Sequence, residues 1–210
     1  MKLLIASRNS DKIKEIKMII NRLDWEILSL SEIAPDLEII EDGKTLEENA
    51  RKKAEIVMAK FGLITLGEDT GLEVDALQGQ PGIYSARFAG EKATYQENVK
   101  KLLELLNGIK NRTARFRCVC ALAFPNNLNI PTQIFEGICQ GVIIETPKGN
   151  SGFGYDPVFM PEGYEKTFAE LPIEEKNKIS HRAKALLKVK EFLQKIDTQF
   201  HKIGYSKDLS

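Results

Sequence analysis

Apolar residues recur along this chain at two spacings, and the spacing changes at polar or glycine-rich breaks. "KLLIA" opens as a short apolar run, the polar "SRNSDK" follows, and then Ile13, Ile16, Ile19, Ile20 and Leu23 recur at helical intervals. The pattern predicts strand, loop, helix. "WEILSL" reads as a second strand, and "TLEENARKKAEIVMAKF" as a helix whose Thr45 and Glu48 form a T-x-x-E capping box. "LITLGED" and "GLEVDAL" read as two strands broken by Gly71, the second with Leu72, Val74 and Ala76 alternating against Glu73 and Asp75. "TYQENVKKLLELLN" is an amphipathic helix. "TARFRCVCALAF" and "TQIFEGICQGVII", joined by "PNNLNIP", predict a long antiparallel hairpin. Ser180 caps a last helix with Ala183, Leu186, Leu187, Val189, Leu193 and Ile196 on one side. The stretch "GNSGFGYDPVFMP" looks like a strand interrupted by three glycines, which signals a bulge or a close approach by a neighbouring strand or a ligand.

The class is α/β, with helices around a mixed sheet whose hairpin is antiparallel. Residues 1–199 are expected to form a single domain, with 200–210 as a frayed tail. Neither G-x-x-x-x-G-K-[ST] nor a G-x-G-x-x-G after a strand occurs, so a doubly wound nucleotide fold fits poorly.

Composition narrows the function classes. The 210 residues carry 30 basic and 30 acidic side chains. No net field attracts polyanions, so nucleic acid is not an expected partner and any anion site is local. The opening apolar run is too short for a signal peptide's core, and no window approaches the roughly 20 apolar residues of a membrane span. A cytoplasmic location without membrane contact is expected. Cys118, Cys120 and Cys139 lack zinc-type spacing and read as reduced and structural.

Four groups of residues carry candidate chemistry. In "SRNSDK", Ser7, Asn9 and Ser10 with the free N–H groups of a helix start suit a phosphate, although plain helix capping explains the stretch equally well. Lys12 weighs against capping alone, since a cation in the first turn opposes the helix dipole unless an anion sits there. Glu41, before the capped helix, and Glu68 and Asp69, at the end of an apolar strand, suit a hard divalent cation, against the plainer reading of solvated acidic turns. Glu73 and Asp75 are assigned to the plainer reading. Lys53 lies on the edge of the stripe of Leu46, Ala50 and Val57, where it either snorkels or meets an anion. His181 and Arg182 follow Ser180 in a helix's first turn, with Lys176 one turn upstream. Two potential cations at a positive helix end call for an anionic or electron-rich partner.

"ASRNSDKIKE", "ENARKKA", "GEDTGLEVDAL", "GQPGIYSARFAG", "GFGYDPVF" and "KNKISHRAKAL", in this order over nearly the whole chain, resemble the inosine triphosphate pyrophosphatase family, also called dITP/XTP pyrophosphatases. The resemblance implies an elongated mixed β-sheet with flanking helices and two lobes around a central nucleotide-binding cleft. It implies a homodimer, and Mg²⁺-dependent hydrolysis of ITP, dITP or XTP to the monophosphate and pyrophosphate. The family's phosphate loop falls on Ser7, Arg8, Asn9, Ser10, Asp11 and Lys12. Its metal carboxylates fall on Glu41 and Asp69, with Glu68 a further candidate and Asp69 also the general base, and its catalytic helix lysine falls on Lys53. Thr70 lies beside the phosphates in place of a more usual serine. Phe153, Gly154, Tyr155 and Asp156 line the nucleoside pocket, with Phe153 or Tyr155 offering a stacking face, and Lys176, His181 and Arg182 surround the base. Two departures stand out: Glu68 where the family often has aspartate, and Asp11 where it often has glycine, a carboxylate expected to point away from phosphate. The rival readings are a Maf-like pyrophosphatase of pyrimidine or modified nucleotides and a nucleotide-binding regulatory module without hydrolysis.

Overall fold

The structure, a computed structural model, describes residues 1–20 and 25–202, except for the side chains of 201 and 202. Leu23 and the tail from residue 203 lie outside the described residues. The first strand, β1 (Lys2–Ile5), leads into α1 (Ser10–Ile20), then β2 (Glu26–Ser29) and a short α2 (Leu30–Ile33). Next come α3 (Leu46–Phe61), β3 (Ile64–Val74), β4 (Pro81–Gly82) and α4 (Tyr95–Leu105). The chain continues through β5 (Thr113–Ala123), β6 (Gln133–Ile143), β7 (Phe159–Pro161), α5 (Ile173–Ile179) and α6 (His181–Lys202).

Among the described residues the strands form one sheet in the order β2-β1-β3-β5-β6-β7, with β4 paired to β3 off this path. β1 is parallel to both neighbours, Leu3 facing Ile27 on β2 and Leu4 facing Thr65 on β3. Parallel neighbours need crossover connections, which is why helical segments separate these strands in sequence. β4 runs antiparallel to β3, and β7 antiparallel to β6. The sheet is therefore mixed, as the α/β pattern predicts.

The chain divides into two compact units. The first comprises Met1–Asp69, Val119–Glu136 and the chain from Lys184 on; the second comprises Thr70–Cys118 and Gly137–Ala183. Inside the first, Leu4, Ala6, Leu30 and Val57 form a buried cluster with Leu28, Ile39 and Phe61 packed against it. Inside the second, Leu72, Val99, Leu102, Phe116, Tyr155, Phe159 and Phe168 belong to a larger one.

Several expectations are corrected. Gly71 does not break the 64–74 segment, which is one strand of eleven residues. There a Cβ would lie 2.5 Å from the Gly82 carbonyl oxygen, so glycine admits β4 at close range instead of ending β3. Glu68 and Asp69 consequently lie within a buried strand and not at its end. Residues 149–158 are loop, with turns at 154–158, and only Phe159–Pro161 is strand. Leu187 is 45 % exposed, whereas Ala183, Leu186, Val189, Leu193 and Ile196 are buried as expected. Thr45 caps α3 by accepting from the Glu48 N–H at 3.1 Å, but the Glu48 carboxylate reaches back to the N–H of Lys44 at 2.6 Å, one residue further than in a capping box. The short α2, β4, β7 and α5 hold too few residues for their periodicity to register in the sequence.

Candidate functional site

In the first unit, α3 lies close to β3 because Gly67 carries no side chain: a Cβ there would run into the backbone carbonyl of Ala50. This approach lets two polar residues of α3 reach Asp69. Lys53, only 6 % exposed, places Nζ 3.3 Å from Asp69 Oδ1 and 3.2 Å from Glu41 Oε2. Of the two readings of Lys53, the structure selects the meeting with anions. Asn49 donates from Nδ2 to the other oxygen, Asp69 Oδ2, at 3.1 Å.

Glu68, 2 % exposed, has its Oε2 2.9 Å from Lys12 Nζ. That carboxylate is the anion whose absence would make a first-turn lysine unfavourable. Around it the loop organises itself. Asn9 Oδ1 accepts from the N–H groups of Asp11 and Lys12 at 3.0 and 3.1 Å and so caps α1, while Ser7 Oγ accepts from Asn9 N–H at 3.2 Å. Ser10 and Arg8 are exposed, and Arg8 donates to the Pro35 carbonyl. Asp11 is half-buried.

Three carboxylates thus share two lysine ammonium groups within this unit. Glu41 is exposed, but Glu68, Asp69 and Lys53 are buried, and burying such charges costs several kcal/mol per ion unless each is paired. Among the described residues no group of three or more His, Cys, Asp or Glu side chains could hold a metal ion by itself.

The second unit gathers the other predicted residues. Asp156 Oδ2 accepts from Lys176 Nζ at 2.6 Å and from Phe153 N–H at 2.9 Å, both side chains of the ion pair being buried. Gly152 is required here for two reasons: its φ is +75°, and a Cβ would collide with the Asp156 carboxylate. Gly154, at φ +63°, has open space around it, so backbone conformation alone selects glycine there. Tyr155 is buried in the core, and its hydroxyl donates to the Ser85 carbonyl at 2.9 Å; burial holds that phenol well above its ordinary pKa. Phe153 is the more accessible ring of the pair. It lines a cavity of about 860 Å³ together with Tyr95, Val99, Leu103 and Pro157, a size that suits a small molecule.

Ser180 caps α6, its Oγ accepting from Ala183 N–H at 3.1 Å. His181 stacks on Phe116 with ring centroids 4.5 Å apart. Arg182, 1 % exposed, sets its guanidinium 5.4 Å from the Phe153 ring centroid and Nη2 3.4 Å from Thr70 Oγ1. Lys176 Nζ lies 5.2 Å from the same ring. The Phe153 face is an electron-rich partner for both the Arg182 guanidinium and the Lys176 ammonium.

Glu73 and Asp75 serve structure, through Arg115 and Arg117. The three cysteines are buried thiols outside any disulfide. The sequence reading missed Asn49, although a signal was there: Asn49 is a polar residue at helical spacing inside the buried stripe of Leu46, Ala50, Lys53 and Val57.

Comparison with known proteins adds an independent line. A model described as the Ham1 family matches residues 3–192. The dITP/XTP pyrophosphatase of Desulforamulus reducens is 49 % identical over 93 % of this chain and 97 % of its own length. That of Bacillus subtilis is 46 % identical over 91 % and 96 %. Among solved structures, the Staphylococcus aureus Ham1 protein superposes with a TM-score of 0.83 at 40 % identity, covering 92 % of this chain and 98 % of that one.

Proposed function

The chain belongs to the Ham1 family, and from that premise we propose that it hydrolyses non-standard purine nucleoside triphosphates, ITP, dITP and XTP, to the monophosphate and pyrophosphate. The observation that carries this reading is buried Lys53 and Asp69 meeting the exposed Glu41, with the Lys12–Glu68 pair in the same unit. Structural ion pairs that served stability alone would be replaceable by apolar packing. Here lysines and carboxylates alternate where a polyphosphate and a cation would exchange with them.

The reading includes Mg²⁺ as cofactor. The donors fit it: Glu41 and Asp69 offer hard carboxylate oxygens, and a Mg²⁺ site is commonly made from one or two carboxylates completed by substrate phosphates and water. When bound, the ion supplies positive charge to the phosphates and raises the acidity of water. The chain's own residues do the rest. Lys12 and Lys53 neutralise phosphate charge as it develops. Ser7, Arg8, Asn9, Ser10 and Asp11 shape the backbone that receives the phosphates, and Thr70 adds a hydroxyl. Asp69 takes the proton of the attacking water, while Asn49 keeps its second oxygen occupied.

For the base, Phe153 offers a stacking face and Asp156 orients Lys176. Lys176, His181 and Arg182 supply donors to the 6-carbonyl that distinguishes inosine and xanthine from adenine. Tyr155 supports the turn from beneath through Ser85. The same reading treats residues 1–199 as one catalytic domain with 200–210 as a tail, and the protein as a cytoplasmic homodimer without nucleic-acid or membrane partners. The balanced charge supports that reading. Among the described residues no helix is long and apolar enough to cross a membrane.

Pyrophosphate release from ITP and Mg²⁺, with ATP run alongside, tests the proposal. Rapid release from ITP with little from ATP is expected. Equal turnover of the two nucleotides, or release of inorganic phosphate instead of pyrophosphate, would overturn it.

A further inference from the structure

We propose that Asn49 is a positioning residue that holds Asp69 and the loop bearing Glu41 in one arrangement, through a hydrogen bond that persists when a divalent cation displaces Lys53. The inference rests on the reading of Glu41 and Asp69 as cation ligands and adds to it the element that presets their spacing.

The geometry is a short zipper. Three residues of α3 reach three successive residues of the preceding loop in reverse order: Lys53 to Glu41 at 3.2 Å, Lys52 to Asp42 at 2.5 Å, and Asn49 to Gly43 at 2.8 Å. Positions 49, 52 and 53 share one helical face, since residues three and four apart are neighbours there. Two of these residues also reach β3. Lys53 joins Glu41 to Asp69 Oδ1, and Asn49 joins Gly43 to Asp69 Oδ2.

These two pins differ in what a cation does to them. Lys53 is itself a positive charge on the oxygens of Glu41 and Asp69, so a divalent ion competes with it for the same sites. Asn49 is neutral, so its amide is not expelled by added positive charge. Its orientation is also fixed by its partners: the Gly43 N–H can only donate and so requires Oδ1, and the Asp69 carboxylate can only accept and so requires Nδ2. No other uncharged side chain of this size supplies an acceptor on one side and a donor on the other. An aspartate at 49 would oppose Asp69 with like charge, and an aliphatic residue would leave a half-buried N–H and a buried carboxylate oxygen short of a partner.

Gly43 is the matching half of the device. A Cβ there would lie 2.5 Å from Asn49 Oδ1 and 2.9 Å from the Glu48 Cβ, so only glycine lets the loop's N–H come up to the amide. Partners that orient metal ligands typically change metal affinity by roughly 10- to 100-fold when lost.

The test uses the full chain without nucleotide and Mn²⁺ as the probe, titrated calorimetrically, with thermal unfolding measured in parallel. Asn49→Ala and Gly43→Ala break the same hydrogen bond from opposite sides, and both are expected to weaken Mn²⁺ binding about tenfold or more. Thr45→Ala removes the α3 cap without touching the amide. It is expected to lower the unfolding temperature while leaving Mn²⁺ affinity within about twofold of wild type. If Asn49→Ala does not fold, Gly43→Ala alone decides. Wild-type Mn²⁺ affinity in the folded variants, an equal loss in Thr45→Ala, or a wild type that binds no Mn²⁺ would each overturn the proposal. Pyrophosphate release from ITP by the wild type is scored separately, so failure of the proposed activity is distinguishable from failure of this inference.

Discussion

Arg182 is a guanidinium that can donate hydrogen bonds but never accept them, and this one property carries the selectivity argument. A donor facing the 6-carbonyl of hypoxanthine is satisfied; the same donor facing the 6-amino group of adenine is left unpaired. A site built on such bonds can reject the wrong partner by roughly 10⁴-fold. Arg182→Ala is therefore expected to lower kcat/KM for ITP strongly and change the much lower ATP value little. An unchanged ITP/ATP ratio would reassign this side chain to holding Thr70 and Phe153 in place. Asp69→Asn tests the other unit. The amide is nearly isosteric but takes up no proton, so turnover at saturating Mg²⁺ is expected to vanish while circular dichroism stays that of the wild type. Lys53→Met leaves Glu41 and Asp69 without their shared cation. Its unfolding temperature is expected to fall, and to recover more on adding Mg²⁺ than that of the wild type rises.

At the scale of elements, glycines and caps decide how chains of residues are aimed. The turn at 152–156 is closed by Asp156 accepting from Phe153 N–H, and Gly152 leaves room for that carboxylate. Gly152→Ala adds both a methyl in occupied space and a strained positive φ, and is expected to destabilise by more than about 1 kcal/mol. Loss of ITP affinity should accompany it, since Lys176 is held by the same carboxylate. Helix α4 begins with a complete capping box, Thr94 accepting from Glu97 N–H and Glu97 accepting from Thr94 N–H. Thr94→Ala is expected to cost about 1 kcal/mol by chemical denaturation. The backbone N–H of Thr94, followed by its hydroxyl, holds the Glu97 carboxyl below its ordinary value of 4.5. A depressed carboxylate pKa means that the folded state binds its proton less readily than the unfolded state does. The contribution is complete above the ordinary value and is lost as pH falls through the depressed one. Glu97→Gln should therefore flatten the acid limb of the stability profile without altering its neutral plateau's shape.

For the whole molecule, neither compact unit is a continuous stretch of chain. β3, β5, β6 and α6 each contribute residues to both. No continuous segment of the chain therefore contains one unit whole without residues of the other. One cooperative thermal transition is expected, with calorimetric and van't Hoff enthalpies in agreement. Two separated transitions would show that the units unfold independently despite their shared strands.

The sequence by itself determined the class of fold, the long helices and strands, and the identity of most polar residues that the structure clusters. Those features are local: periodicity marks α1, α3, α4 and α6, and a lysine on the edge of an apolar stripe either snorkels or meets an anion. What only the tertiary structure decided is that Lys53 meets anions, and which they are. Lys53 meets Glu41 and Asp69 because Gly67 lets α3 close on β3. Lys12 meets Glu68, a residue 56 positions away in the chain. Asn49 stands out in the sequence only as a polar residue in an apolar stripe, and its two partners, six residues upstream and twenty downstream, are brought to it by folding. Spacing along a chain records which face a residue occupies; only packing brings the opposing face to it, and the pairing of charges is a property of both.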